Sequence, residues 1–245
     1  MSSIFTYNPT DEFERLYIYL REKEGRMYKD EEVANLPAVN ELHSYYHEWE
    51  IRKRSAKKLV DHIRHRNNEP DILEIGCGNG WLSAQLATST KGNVTGIDVN
   101  GVELEQAKRV FSKISNLNFI QCALNGEQLQ DKSFDIIVFA ASIQYFSSLK
   151  KIITEALAYL TLQGEIHIID SHFYRQSEIA AAKERTISYF VSAGCEVMTE
   201  FYFHHTIEDL DKFNHHFLYD PTSLFNRFNK NKSPFYHVVI KNRYQ

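Results

Sequence analysis

The chain has 245 residues, of which 43% are hydrophobic and 24% charged, the composition of an ordinary globular protein. Its formal net charge of -4 argues against a long basic nucleic-acid surface. No segment reaches the roughly 20 apolar residues of a membrane-spanning helix, and residues 1–7 do not resemble a secretion signal. Three dispersed cysteines offer neither a disulfide framework nor a zinc site. We therefore expect a cytoplasmic protein with no membrane partner.

Residues 1–69 are predicted to form an N-terminal helical cap. A helix begins at Asn8-Pro9, because Asn caps helices and Pro suits the first helical position, and it ends near Gly25. A second helical pattern runs from Leu42 to Ile63. Its basic residues are Arg52, Lys53, Arg54, Lys57, Lys58, Arg64 and Arg66. Since apolar residues interleave with them, we interpret them as a solvated helix face; an anion-binding or RNA-binding patch is the alternative.

Residues 70–245 are predicted to form the main α/β domain. Short apolar runs, such as residues 71–75 and 94–99, alternate with amphipathic helical segments. This alternation indicates a parallel sheet covered on both faces, so we predict a doubly wound, mostly parallel seven-stranded sheet. Residues 195–203 and 235–242 are the late strand candidates. Their irregular spacing predicts that the last strand inserts antiparallel into the sheet.

The strongest chemical signal is the glycine-rich turn from Gly76 to Gly80, which follows an apolar strand and opens a helix. In an open α/β sheet, ligands bind beyond the carboxyl ends of the strands, where glycines let a ligand approach the backbone. A dinucleotide fingerprint has the spacing GxGxxG, whereas this turn has GxGxG followed by the bulky Trp81. No Gly-Lys-Ser/Thr follows, so a P-loop is excluded as well. The turn predicts a nucleotide-like ligand other than NAD.

The acid Glu74 stands two residues before the first glycine, and with it the turn resembles the first motif of class I S-adenosylmethionine-dependent methyltransferases. Matching strand and turn segments continue in the expected order to Asp170. The resemblance implies a Rossmann-like fold and S-adenosyl-L-methionine as cofactor. It assigns the ribose hydroxyls to Asp98, for which a helix cap is the alternative, and the adenine to Val99. The cofactor-binding residues that it implies are Glu74, Gly76, Cys77, Gly78, Asp98, Val99, Ala123, Leu124, Ala140 and Tyr46.

The family often has an acid after its third strand, near the adenine amino group, but this chain has Ala123 there. Only backbone groups of Ala123 and Leu124 would then frame the adenine. An N-terminal helix often closes over the methionyl end of the cofactor in this family, which assigns that role to Tyr46; core packing is the alternative.

The acceptor side is predicted from the loops after the fourth and fifth strands. Methyltransferases that act on base nitrogens or glutamine amides carry an Asn/Asp-Pro-Pro-aromatic motif, which this chain replaces with Phe-Ala-Ala-Ser-Ile at residues 139–143. The loop resembles the small-molecule branch of the family, so Tyr145 and Tyr174 are predicted to line the acceptor pocket, with simple packing as the alternative for Tyr145. His172 is a candidate general base, because an unperturbed histidine has a pKa near 6.5, although an exposed loop position explains it too.

Histidine pairs at residues 204–205 and 215–216 lack metal-ligand spacing, so no metal site is predicted. We therefore expect an enzyme, an S-adenosylmethionine-dependent methyltransferase acting on an oxygen or nitrogen of a small-molecule or glycan-like acceptor. That acceptor is the expected partner; the charge disfavours nucleic acid, and a homodimer is compatible with the sequence. The alternatives are an RNA or protein methyltransferase that uses the basic residues 52–66, and a non-catalytic cofactor-binding module.

Overall fold

The computed structural model describes residues 9–66, 69–227 and 232–242, so the predicted cap residue Asn8 lies outside the described part of the chain. Within that part, no helix combines the length and apolar character that a membrane crossing requires. The helices are α1 (Pro9–Lys23), α2 (Asp30–Asn35), α3 (Tyr46–Arg66), α4 (Trp81–Ser89), α5 (Gly101–Val110), α6 (Leu149–Ala158), α7 (Ile179–Ser192) and α8 (Leu224–Arg227). The strands are β1 (Ile72–Ile75), β2 (Val94–Asp98), β3 (Leu117–Gln121), β4 (Phe134–Ala140), β5 (Leu160–Ile169), β6 (Phe173–Tyr174), β7 (His205–Thr206), β8 (Asn214–Tyr219) and β9 (His237–Lys241).

Seven strands form one twisted sheet in the order β3-β2-β1-β4-β5-β9-β8. Strands β1 to β5 run parallel, whereas β9 pairs antiparallel with both β5 and β8. The predicted doubly wound, mostly parallel seven-stranded sheet is confirmed, and so is the antiparallel insertion of the last strand. Strand order reverses at β1, the point where open α/β sheets bind their ligands.

Helices cover both faces of the sheet. Neighbouring residues of a strand point to opposite sides, so each strand contributes side chains to both layers of the core. Ile72 and Ile136 are fully or nearly fully buried with α3 and α4 on one face. Leu73 and Ile137 are buried with α6 on the other face. Both faces of these strands are therefore buried, which explains their largely apolar runs.

The helices before β1 occupy two different positions. In α3, Trp49, Leu59 and Ile63 are buried in the core that covers the sheet. In α1, Leu16 and Leu20 instead pack against α7. The α1 helix lies over the carboxyl edge of the sheet, whereas α3 is one of its covering layers.

The second helical pattern was predicted to begin at Leu42, but α3 begins at Tyr46 and Leu42 is 93% exposed. The strand predicted at residues 195–203 is also wrong. Residues Glu196–Phe201 form a 3-10 helix that buries Met198 against α1 and α7. The edge strand beside β9 is β8, which was missed because its histidines give no continuous apolar run.

Candidate functional site

The glycine turn between β1 and α4 has backbone conformations that favour glycine. Gly76, Gly78 and Gly80 have φ values of 75°, 50° and 74°. A Cβ on Gly76 would lie 2.6 Å from the Cβ of Ser142, and one on Gly80 would lie 2.5 Å from the ring of Phe119. The turn thus keeps the backbone open at the carboxyl end of β1 and packs it closely against β3 and the loop after β4.

Asp98, the last residue of β2, is fixed by two backbone N–H groups. Gly78 donates to its Oδ2 at 2.7 Å, and Asn100 donates to its Oδ1 at 2.8 Å. The carboxylate is half-buried and its pKa is raised, mainly by burial. These two hydrogen bonds orient the carboxylate over the glycine turn and leave lone pairs free to accept from a ligand's hydroxyl groups.

Two buried acids lie below the turn. Glu74 is 2% exposed and accepts a hydrogen bond from the Ser83 hydroxyl at 2.5 Å, and burial raises its pKa to about 8. Burial also raises the pKa of Glu103 to about 7, against the opposing effect of the Arg21 guanidinium, which lies 4.0 Å from Oε1. Because the pKa values of both acids are raised, they would ionise most readily beside a positively charged ligand.

A cavity of about 440 Å³ opens beside the turn. Gly76, Gly78, Asp98, Val99, Ala123 and Leu124 line it, together with Phe13 and Tyr17 of α1. Among these residues Leu124 is buried and Ala123 is exposed. The structure therefore brings together at one cavity six of the residues predicted to bind the cofactor.

A second cavity of about 300 Å³ adjoins the first and shares Tyr17, Gly76 and Tyr145 with it. The predicted residues Glu74, Cys77, Ala140 and His172 line this second cavity. His172 packs between the rings of Tyr174 and Phe235, with centroid distances of 5.6 Å and 4.6 Å. Loss of solvation and the charge of Arg185 lower the pKa of His172. An aromatic, partly enclosed space thus extends from the carboxyl end of β1 to that of β5.

Two predicted residues lie elsewhere. Tyr46 lines neither cavity; it is the first residue of α3, and its ring contacts His47 instead. The aromatic side chains that do line the second cavity from the N-terminal helices are Tyr17 of α1 and Trp49 of α3. Tyr174 lines a third cavity of about 360 Å³, which shares Tyr145 with the other two.

Two wall residues were not singled out from the sequence. Tyr17 belongs to an apolar helical stripe, and such a stripe is the ordinary signal of core packing. Asp170 was noted only as the end of a strand, yet it is 6% exposed and lines the second cavity. Both Ala141 and Asp170 have positive φ values, 52° and 53°. The turns after β1, β4 and β5 therefore all contain left-handed residues, and backbone strain of this kind concentrates at functional sites.

A group of three potential metal ligands lies in the described part of the chain, away from these cavities. The ligand atoms of His62, Glu165 and His167 lie within 4.8 Å of one another. However, Arg66 Nη1 and Lys241 Nζ lie 3.0 Å and 3.3 Å from Glu165 Oε1. Two fixed cations beside one carboxylate oppose a divalent ion, so we interpret the group as a buried ion-pair centre.

Comparison with known proteins decides the family. A family described as "Methyltransferase domain" matches residues 67–232. The chain belongs to this methyltransferase family. The predicted methyltransferase family is thereby confirmed, and S-adenosylmethionine stays its predicted cofactor.

Individual relatives match more narrowly. The chain is 41% identical over 73 residues to a release factor glutamine methyltransferase of Fusobacterium nucleatum, a match over 29% of this chain and 21% of the relative. It is 28% identical over 125 residues to a malonyl-[acyl-carrier protein] O-methyltransferase of Bacillus anthracis, a match over 49% of this chain and 46% of the relative. The chain thus spans less than half the length of these two curated relatives.

The fold has relatives among solved structures. Magnesium protoporphyrin IX methyltransferase from Synechocystis PCC 6803, with bound SAH, superimposes with a TM-score of 0.58 at 12% sequence identity. The match covers 95% of this chain and 97% of that protein. At this identity the likeness shows a common fold.

Proposed function

We propose that the chain transfers a methyl group from S-adenosylmethionine to an oxygen or nitrogen of a small-molecule acceptor. The observation that carries the proposal is the junction of two cavities at Gly76 and Tyr145, one along the ends of β1 to β3 and one along the ends of β4 and β5. The cofactor would enter through the first cavity, and its methionyl end would reach the acceptor space of the second cavity at this junction. Combined volumes of this order accommodate small molecules.

The first cavity fits the nucleoside part of the cofactor. Asp98 offers free lone pairs to two ribose hydroxyls, while Val99 and Leu124 supply apolar surface for a planar base. No acid follows β3, since Ala123 stands there. The backbone at Ala123 and Leu124 is then left to make polar contacts with the base.

The second cavity begins where the methionyl end would lie. Glu74 and Glu103 are buried acids whose raised pKa values are suited to a cationic amino group, because a nearby positive charge favours their ionised forms. Tyr17 and Trp49 close the space from α1 and α3, the role first assigned to Tyr46. Bound S-adenosylmethionine supplies an electrophilic methyl group on a positively charged sulfur.

The residues around this space align the acceptor and exclude water, which accounts for much of the rate in a displacement of this type. Tyr145 lies at the junction of the cavities, and His172 lies farther along the acceptor wall. We retain Tyr145, Tyr174 and His172 as acceptor-side residues, with His172 as a candidate base.

A calorimetric titration with S-adenosylmethionine, S-adenosylhomocysteine and NAD tests the proposal. We expect saturable binding of the first two and none of NAD, because the turn lacks the third glycine of the dinucleotide fingerprint. An acceptor screen in the presence of S-adenosylmethionine follows, read as S-adenosylhomocysteine formed. Failure to bind either methionine-derived compound would refute the proposal, and binding without turnover on any acceptor would favour a cofactor-binding module.

A further inference from the structure

Asp170 is a buried carboxylate with a hydrogen-bond donor at one of its two oxygens. The hydroxyl of Ser55 on α3 donates to its Oδ1 at 2.6 Å. Its Oδ2 is buried and has no hydrogen-bond partner among the described residues. Leaving a buried carboxylate oxygen unpaired costs stability, so such an atom in a cavity wall calls for a ligand.

The backbone places Asp170 where an acceptor would enter. Asp170 directly follows β5 and has a left-handed φ of 53°. The turn after β4 lies beside it, because Ala141 N donates to Ile169 O at 3.0 Å. Gln144 bridges the same two turns, since its amide donates to Ala141 O at 2.6 Å and its Oε1 accepts from the Ser171 hydroxyl at 3.2 Å. These links hold the strained residue in place beside the junction of the two cavities.

The charges that act on Asp170 come from α3. Burial raises its pKa to about 6, the Arg52 guanidinium opposes this effect and Glu48 adds to it. Arg52 is itself bound to Glu48 at 2.9 Å, so it does not neutralise Asp170 by a direct ion pair. The other charged or titratable side chains around the cavity are Arg21, Glu74, Cys77, Glu103, His172, Tyr17, Tyr145 and Tyr202.

We propose that Asp170 binds the methyl acceptor at its reacting atom through Oδ2 and, in place of the candidate base His172, accepts the proton that this atom gives up. The acceptor is then an amine or a hydroxyl compound, whose reacting atom carries hydrogen, and not a carboxylate. A carboxylate has no hydrogen to donate at neutral pH, and an ionised Asp170 would repel it. The inference rests on the proposed methyltransferase function and assigns the acceptor contact within it.

The proposed methyl transfer forms one bond, breaks one bond and releases one proton. The lone pair of the acceptor nitrogen or oxygen forms the new bond to the methyl carbon, and the electrons of the broken carbon–sulfur bond remain on sulfur. The acceptor's proton passes to Asp170 Oδ2 and then to water. No oxidant, reductant or metal takes part.

The test uses Asp170→Asn, which keeps the side-chain shape, and asparagine is among the residues that best tolerate a left-handed φ. Asp135→Asn is the matched control, because Asp135 lies at the start of β4, at the opposite end of the sheet. Each protein is first titrated with S-adenosylhomocysteine by calorimetry. Its complex is then titrated with benzylamine, phenol and benzoate as probes.

We expect the wild-type complex to bind benzylamine or phenol at least about tenfold more tightly than benzoate, and Asp170→Asn to lose that preference while keeping its affinity for S-adenosylhomocysteine. Asp135→Asn should match the wild type. Equal binding of all probes, or binding of none, overturns the inference. A tenfold loss of S-adenosylhomocysteine affinity in Asp170→Asn also overturns it, by placing the carboxylate on the cofactor. If the wild type fails to bind S-adenosylhomocysteine, the proposed function itself fails.

A second readout separates an acceptor-binding residue from a structural one. The folded-state pKa of about 6 lies above the ordinary value of 3.8, so the stability contributed by protonated Asp170 is complete below 3.8 and lost as the pH rises through 6. Thermal unfolding should therefore show Asp170→Asn gaining in melting temperature relative to the wild type at pH 7.5 but not at pH 4. A lower melting temperature at both pH values would mean that the carboxylate is held for structure, and would overturn the inference.

Discussion

Buried carboxylates lie at both ends of the same sheet, and their surroundings differ. At the end away from the cavities, Glu165 of β5 is 1% exposed, with His62, Arg66 and Lys241 within 3.3 Å of its oxygens. Burial raises the pKa of this carboxyl, but hydrogen bonds from His167 and His62 and the charge of Arg66 hold it below the ordinary value. At the cofactor end, Glu74 is almost as deeply buried, it accepts a hydrogen bond from the Ser83 hydroxyl, and burial raises its pKa to about 8.

This difference distinguishes a carboxylate that is part of an internal ion-pair group from a carboxylate that can bind a ligand. A carboxylate surrounded by the protein's own cations is already balanced, and removing it leaves those cations unpaired. A buried carboxylate without a cation is destabilising until a positively charged or hydrogen-donating ligand arrives. Burial alone therefore does not distinguish the two ends of the sheet, whereas the identity of the neighbouring side chains does.

Glu165→Gln should give the largest effect. It removes the negative charge at the centre of the ion-pair group, so we expect a loss of about 3 kcal/mol in the free energy of unfolding at pH 7, measured with urea. Glu155→Gln is the control, because its pair with Lys151 spans 3.9 Å at the surface and such pairs contribute little. A loss below about 1 kcal/mol in Glu165→Gln would mean that the group is not balanced internally.

Glu74→Gln should act in the opposite direction on stability without ligand. The folded-state pKa of about 8 exceeds the ordinary 4.5, so the stability that Glu74 contributes is complete below 4.5 and lost as the pH rises through 8. The variant should gain stability relative to the wild type as the pH rises from 5 to 8, and should bind S-adenosylhomocysteine more weakly. Urea unfolding at several pH values checks this, and a parallel pH dependence in both proteins would remove the contrast with Glu165.

Asp98→Ala should have the smallest effect on the free energy of unfolding, and it should act on cofactor binding instead. Loss of the charge-assisted hydrogen bonds to the ribose should weaken cofactor binding by about 1–3 kcal/mol. Calorimetry with S-adenosylhomocysteine measures the change. Unchanged affinity would leave Asp98 as a residue that only orders the glycine turn through Gly78 and Asn100.

Much of the fold was predictable because its signals are local. Continuous apolar runs mark strands β1, β2 and β4 as buried on both faces, and the glycine turn identifies the strand end at which the ligand binds. The predicted residues at that turn, from Glu74 to Asp98, do line the two cavities. The strand at residues 195–203 was wrong because an apolar segment packs equally well as a 3-10 helix, and only contacts with α1 and α7 decide between them.

Spacing along the chain was sufficient to predict the family, the sheet and the edge of the sheet where the cofactor would bind, because strand, turn and helix lie next to one another in sequence. The acceptor wall depends on long-range packing. Tyr17 reaches the cavity because α1 folds over the sheet edge, and Asp170 is left half satisfied because Ser55, 115 positions away, contacts only one of its oxygens. Such contacts leave no periodic signal in the sequence, so the tertiary structure alone distinguishes these two residues from ordinary core and loop positions.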